Sequence, residues 1–171
     1  ESLKKNACDS LSITNQQNNI LTVYQKNKEL GFVGTPTEIN LSIIEQIVEE
    51  KKVPVIAPLG LDKNNQVYNI NADTAAGAIA KKLNARRLII ISDVEGVLDD
   101  NKKLISEINS NKVKDLINNK TISGGMIPKI ENCLDVASNG VKGVCIIDGR
   151  LDHSILFELL SNAGSGTLIR K

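Results

Sequence analysis

Apolar residues along this chain fall in short runs set apart by polar turns, with strand-like runs alternating with stretches of helical period. Leu11-Ser12-Ile13 and Ile20-Leu21-Thr22-Val23-Tyr24 read as two short strands, with Thr14 to Asn19 as the turn between them. Thr35-Pro36-Thr37-Glu38-Ile39 reads as an edge strand or an extended segment. Asn40 is placed to cap a helix over residues 41 to 52, in which Ile43, Ile44, Ile47 and Val48 recur at helical spacing. Val53 to Leu59 reads as a buried strand. The polar turn Asp62-Lys63-Asn64-Asn65-Gln66 and a short strand through Val67-Tyr68 then deliver Asn69.

A second helix, over about residues 71 to 83, is rich in Ala and Gly, which permits close approach to a sheet. Leu88 to Ile91 is a continuous apolar run, the pattern of a strand covered on both faces. Asp99 to Lys103 reads as a turn, and Val113, Leu116 and Ile117 mark a helix over about residues 111 to 119. Gly124-Gly125 opens a further helix through Ile130, Cys133, Leu134 and Ala137. Gly143 to Ile147 is another strong strand, Ser154 to Leu160 a last helix headed by His153, and Gly164 to Ile169 a last strand. Helices and apolar strands alternate without repeat or linker, which predicts an α/β layered domain with a largely parallel sheet.

Composition adjusts this picture in a few places. With 171 residues and 41% hydrophobic content the chain can build one core, and two Phe, two Tyr and no Trp make that core aliphatic. A net charge of +1, with both signs spread along the sequence, gives no electrostatic support for nucleic-acid binding. No run approaches the ~20 apolar residues of a membrane span. Cys8, Cys133 and Cys145 show neither metal spacing nor a disulfide framework, which fits a reducing compartment. Neither an initiator Met nor a signal core opens the chain, so it is expected to be a piece of something longer.

Candidate chemistry gathers where strands run into helices. At Asn69-Ile70-Asn71-Ala72-Asp73 two amides and a carboxylate meet a helix N-terminus, and the pattern fits a cap as well as an anion site. Ser92-Asp93-Val94-Glu95-Gly96-Val97-Leu98 follows an apolar strand, the place where ligands gather in parallel α/β sheets, though an ordinary polar turn reads the same way. Thr121-Ile122-Ser123-Gly124-Gly125 precedes a helix with Lys129 one turn in, a pattern suited to phosphate oxygens but distinct from a Walker A loop. Asp148-Gly149-Arg150 ends the strand before it as a site or a turn. His153 reads as solvating a helix N-terminus rather than as a general base.

Six stretches taken in order resemble the acetylglutamate kinases of the amino-acid kinase family. They are Leu30 to Gly34, Val55 to Pro58, Tyr68 to Ala76, Ser92 to Asp99, Ile122 to Lys129 and Ile146 to Arg150. The resemblance implies a three-layer α/β/α sandwich with a mainly parallel central sheet and a missing N-terminal part. Residues 1 to 30 would be a remnant of the substrate lobe, and residues 31 to 171 the nucleotide-binding domain. It also implies transfer of a phosphoryl group from ATP, with Mg²⁺, to the side-chain carboxylate of N-acetyl-L-glutamate, a step of arginine biosynthesis. By the same resemblance Asn69 contacts the amino-acid substrate, Asp73 holds the catalytic lysines, and Lys129 neutralises charge on the phosphoryl group. Ser92, Asp93, Val94, Glu95, Gly96, Val97 and Leu98, with Thr121, Ile122, Ser123, Gly124 and Gly125, line the nucleotide site. No protein-held metal is implied. A homo-oligomer in the cytoplasm or a plastid stroma, with arginine as an inhibitor, is expected. Ala163 departs from the glutamate that arginine-inhibited members carry before Gly-x-Gly-Thr, and Thr14-Asn15-Gln16-Gln17 departs from the family's Ser-Gly-Lys-Asp. Two alternatives stay open: a family member with another acceptor (aspartate, carbamate or UMP), or a nucleotide- or arginine-responsive module without catalysis.

Overall fold

A computed structural model describes residues 2–14 and 19–171. The chain divides into two compact units, Glu1–Lys82 and Leu83–Lys171. The packing division falls between Lys82 and Leu83, away from the boundary expected near residue 30.

The first unit contains α1 (Ser2–Lys5), β1 (Ser10–Ile13), β2 (Leu21–Gln25), a 3-10 turn (Lys28–Leu30), β3 (Gly34–Ile39) and α2 (Ser42–Glu49). It continues with β4 (Val53–Ile56), β5 (Leu59–Leu61), β6 (Val67–Asn69) and α3 (Ala72–Lys82). β1 pairs in parallel with β4, while β3, β2, β5 and β6 form a separate sheet in that order. The hairpin expected from residues 11 to 24 therefore does not form. Both strands exist, but each finds its partners elsewhere in the unit. The turn expected between them falls largely on residues 15–18, outside the described residues. β3 is an edge strand, where Pro36 needs no donor for a second neighbour.

Ile13, Leu21, Val23, Ile44, Ile47, Tyr68, Ile70 and Ala75 pack together as an aliphatic core with one ring at its edge. α2 is shorter than its apolar period indicates. Asn40 still accepts hydrogen bonds through Oδ1 from the Ser42 amide and hydroxyl, at 3.2 and 2.6 Å. Val53 to Leu59 is not one buried strand. The chain breaks at Ala57-Pro58, and Val53 and Val55 are each 44% exposed on β4.

The second unit contains β7 (Leu88–Ser92), β8 (Glu107–Ile108), α4 (Ser110–Asn118), α5 (Met126–Ser138), β9 (Val144–Asp148), α6 (Ser154–Leu160) and β10 (Gly166–Ile169). Its sheet runs β7-β9-β10-β8, with β9 parallel to β7 and antiparallel to β10. Every residue of β9 is buried, so both of its faces are covered, and α5 and α6 both contact it. β7 was expected to be covered in the same way. It lies at the sheet edge instead, and Ile91 is 54% exposed. Asn109 Oδ1 caps α4 by accepting from the Lys112 amide at 3.0 Å. Parallel pairs mixed with helices bear out the α/β class. Cys133 and Cys145 are buried and in no disulfide, as their apolar neighbours indicate. Among the described residues, no helix is long and apolar enough to cross a membrane.

Candidate functional site

In the first unit the strand-to-helix junction at Asn69 is built by three of the six stretches. The Asn69 amide donates to the Phe32 carbonyl at 2.8 Å, and Val33 bridges Asn69 in parallel. One residue on, the Ile70 amide donates to the Pro58 carbonyl at 2.8 Å. Phe32 and Tyr68 meet edge to face with ring centroids 5.8 Å apart. Asn71 is the cap of α3, since its Oδ1 accepts from the Thr74 amide at 3.1 Å. That capping leaves the exposed Asn69 outside the helix and places the half-buried Asp73 in its first turn. A carboxylate there is favoured by the helix dipole.

In the second unit two of the remaining stretches meet at their strand ends. β7 and β9 end side by side with Ser92 opposite Asp148, and the Gly149 amide donates to the Ser92 carbonyl at 2.8 Å. The Ser92 hydroxyl donates to Asp93 Oδ1 at 3.3 Å. Gly96 holds φ at +137°, a conformation side chains rarely adopt, and passes close to Thr167 and Leu104. From there the buried Val97 donates its amide to Thr167 Oγ1 at 2.8 Å, and Thr167 donates onward to the Ile105 carbonyl at 2.7 Å. Leu98 bridges Leu104 across the Asp99–Lys103 turn. Thr121 ties the second segment to this loop through its hydroxyl, which donates to Asp100 Oδ1 at 2.5 Å.

Ile122 is buried and fixes the start of that segment, whereas Ser123, Gly124 and Gly125 are exposed. A side chain at either glycine would meet open space, and Gly124 holds φ at +56°. The glycine pair therefore presents bare backbone just before α5, and Lys129 lies half-buried one turn in. Asn69 and Asp73 belong to the first unit and Lys129 to the second.

Two further residues stand at the carboxyl end of β9, in the stretch that reads from the sequence as a site or a turn and to which no role was given: Asp148 and Arg150. The Arg150 guanidinium grips the buried Asp148 carboxylate at 2.9 Å (Nε to Oδ1) and 2.7 Å (Nη2 to Oδ2). Hydrogen bonds from Arg150 hold the Asp148 carboxyl below its usual range, and the Arg150 pKa is raised in return. Stability from this pair is present above the ordinary carboxylate pKa of 3.8 and is lost as pH falls through the lower folded value. The signal in the sequence was the acid–Gly–Arg triplet at a strand end. Its reach to Asp93 depends on strand register. Burial, with Glu158 beside it, pushes the Cys145 thiol up to about 12, so it stays neutral and serves packing. His153 heads α6 with φ at +63° and makes no side-chain cap bond.

Comparison with known proteins gives this arrangement a family. Residues 1–148 match the model of the "Amino acid kinase family". The chain is 67% identical over all 171 residues to an acetylglutamate kinase of Pelagibacter ubique, of which it covers 59%. It is 49% identical over 147 residues, 86% of this chain, to an acetylglutamate kinase of Bradyrhizobium sp., of which it covers 49%. The chain thus spans about half to three fifths of the length of these relatives. Among solved structures, smu.665 from Streptococcus mutans superposes over 99% of this chain and 64% of that one, with a TM-score of 0.82 and 31% identity. The N-acetylglutamate synthase of Neisseria gonorrhoeae, complexed with coenzyme A and N-acetyl-glutamate, shares the fold at a TM-score of 0.86 and 20% identity. It covers 99% of this chain and 39% of that one. A match over most of the sequence, on the same strand-end loops that the fold brings together, shows that the chain belongs to the amino acid kinase family.

Proposed function

We propose that this chain forms part of an acetylglutamate kinase, which transfers the terminal phosphoryl group of ATP to the side-chain carboxylate of N-acetyl-L-glutamate. The observation that carries the reading is the side-by-side ending of β7 and β9, which sets the Ser92–Leu98 loop against Asp148-Gly149-Arg150. The acceptor is taken from the relatives' activity. Phosphoryl transfer asks a protein for positioning and positive charge more than for covalent chemistry. On this reading the Ser92–Leu98 loop and Thr121–Gly125 line the nucleotide, and Gly124-Gly125 lets amide groups approach phosphate oxygens. Lys129 offsets charge on the group in transfer. Asn69 offers an amide donor to the acceptor, and Asp73 anchors catalytic ammonium groups. Mg²⁺ would arrive on the nucleotide, since it readily keeps phosphate and water ligands.

Localisation in the cytoplasm accords with bacterial relatives, and a plastid setting has no such support. Homo-oligomerisation and control by arginine belong to the same proposal. For arginine, His153 and the Gly164–Thr167 turn resemble the inhibited class, whereas Ala163 replaces its glutamate.

The test uses the protein expressed from its complete reading frame. Calorimetric titration with ATP, with and without N-acetylglutamate, reads binding, and hydroxylamine trapping of the acyl phosphate reads turnover. Asp73→Asn is expected to cut turnover by about 10²-fold or more while ATP affinity stays within about threefold of wild type. Turnover near the wild-type rate would remove Asp73 from the mechanism. ATP binding without hydroxamate from N-acetylglutamate or aspartate, and without ADP release in the presence of carbamate or UMP, would replace the kinase reading with that of a nucleotide-responsive module.

A further inference from the structure

The Asp148–Arg150 pair has a geometry that a surface ion pair does not need. Gly149 turns the chain hard against β7, where a Cβ would stand 2.5 Å from Ile91 Cγ2. That turn brings Arg150 back over the residue two before it. Asp148, with its side chain 3% exposed, accepts from the Arg150 amide at 2.8 Å, from Nε at 2.9 Å and from Nη2 at 2.7 Å. Two parallel bonds and one main-chain bond fix the guanidinium plane as well as its position. The Arg150 side chain is nevertheless 62% exposed, so burial does not explain why it is held.

The pairing of Ser92 with Asp148 and the bond from the Gly149 amide to the Ser92 carbonyl set Arg150 beside the start of the neighbouring loop, whose carboxylates Asp93 and Glu95 help to hold its charge. The two ends of that loop are secured by other means. Ser92 accepts from the Gly149 amide, and Val97 donates to Thr167. An immobilised cation at this place therefore acts on the span between, Asp93 to Glu95.

We propose that Arg150, locked in orientation by the buried Asp148, is a positioning residue for nucleotide binding: it holds the Asp93–Glu95 span of the loop in the conformation that receives the nucleotide. This rests on the reading of Ser92–Leu98 as nucleotide-lining. Asp148 cannot touch a ligand from inside the sheet. Its influence passes through Arg150, and Arg150's through the loop.

The experiment measures the ATP dissociation constant by calorimetry, and kcat with the KM values for both substrates, on the protein from its complete reading frame. Arg150→Ala is expected to raise the ATP Kd about tenfold, with kcat and the KM for N-acetylglutamate within about twofold. Asp148→Asn, nearly isosteric, keeps the arginine but removes its lock, and is expected to reproduce most of that loss. Arg150→Lys keeps the charge but cannot span both carboxylate oxygens, so it is not expected to rescue. Melting temperatures check that each variant is folded; should Arg150→Ala not fold, Asp148→Asn and Arg150→Lys carry the test. A wild-type ATP Kd in Arg150→Ala or in Asp148→Asn overturns the proposal, as does full rescue by lysine or a parallel loss of kcat and both KM values. A wild-type protein that binds no ATP overturns the reading of the loop itself, and the proposal with it.

Discussion

β4 and β9 look alike as sequence and differ as structure. Both are short runs dominated by Val and Ile, and both read as strands. β9 is paired on both sides, by β7 and β10, contacts two helices, and is buried at every position. β4 pairs with β1 alone and alternates between half-buried and exposed residues. β-propensity measures how a side chain fits a pleated surface, and does not say how many neighbours that surface will have. A run of four or five residues rich in Val and Ile therefore shows that a strand forms and leaves open whether it is central. The second unit rests on β9, whereas β4 borders the core of the first.

The contrast is largest where β9 meets β10. Gly166 faces Ile147 in that antiparallel pair, and a Cβ on it would fall on the Ile146 carbonyl. Backbone cannot yield there as a flexible side chain can, so the sheet must part. Gly166→Ala is expected to cost more than about 3 kcal/mol, enough to leave much of the protein unfolded at moderate temperature. Denaturant titration, with soluble yield as a second reading, checks it. A midpoint close to wild type would show that the β9–β10 contact can open without loss, and β9 would no longer be the firmer strand.

Inside β9, Ile146 is fully buried. Ile146→Ala removes three methyl or methylene groups from a site covered on both faces, and is expected to cost about 2–5 kcal/mol. A loss under about 1 kcal/mol would place a collapsible void beside β9 and bring it closer to β4.

These differences mark where sequence reading succeeds and where it stops. Locally coded elements were legible. Asp62 and Asp99 each open a turn in which Oδ1 accepts from amides two and four residues on, at 2.8 and 2.9 Å for Asp62 and 2.9 and 2.9 Å for Asp99. Asn65 and Lys102 take the same positive φ at the matching step, +63° and +61°. Such turns depend on a few adjacent residues, as does the cap at Asn71. The polar stretches that end β7 and β9 were legible as strand ends, because strand ends carry recognisable polar residues. Partner choice was not. Residues 11 to 24 read as a hairpin from two strands and a polar gap, yet β1 joins β4 and β2 joins β3 and β5. Ile91 reads as buried from its neighbours in sequence and is exposed because β7 is an edge. Arg150 could not be tied to the Asp93 loop without the register that sets Ser92 opposite Asp148.

The smallest expected effect belongs to β4. Val55 is 44% exposed and faces away from the β1 contact's buried partner, Ile13. Val55→Thr keeps the β-branched shape and the strand propensity while exchanging a methyl group for a hydroxyl that water can solvate. Its cost is expected to stay within about 0.5 kcal/mol, read as a nearly unchanged denaturation midpoint and slope. The same exchange at a buried position would strand a hydroxyl and cost about 1–3 kcal/mol. Val55→Thr thus reports on cover rather than on strand formation. A loss of that larger size would mean that β4 is enclosed in the folded protein, and the distinction between the two strands would have to be drawn from their pairing alone.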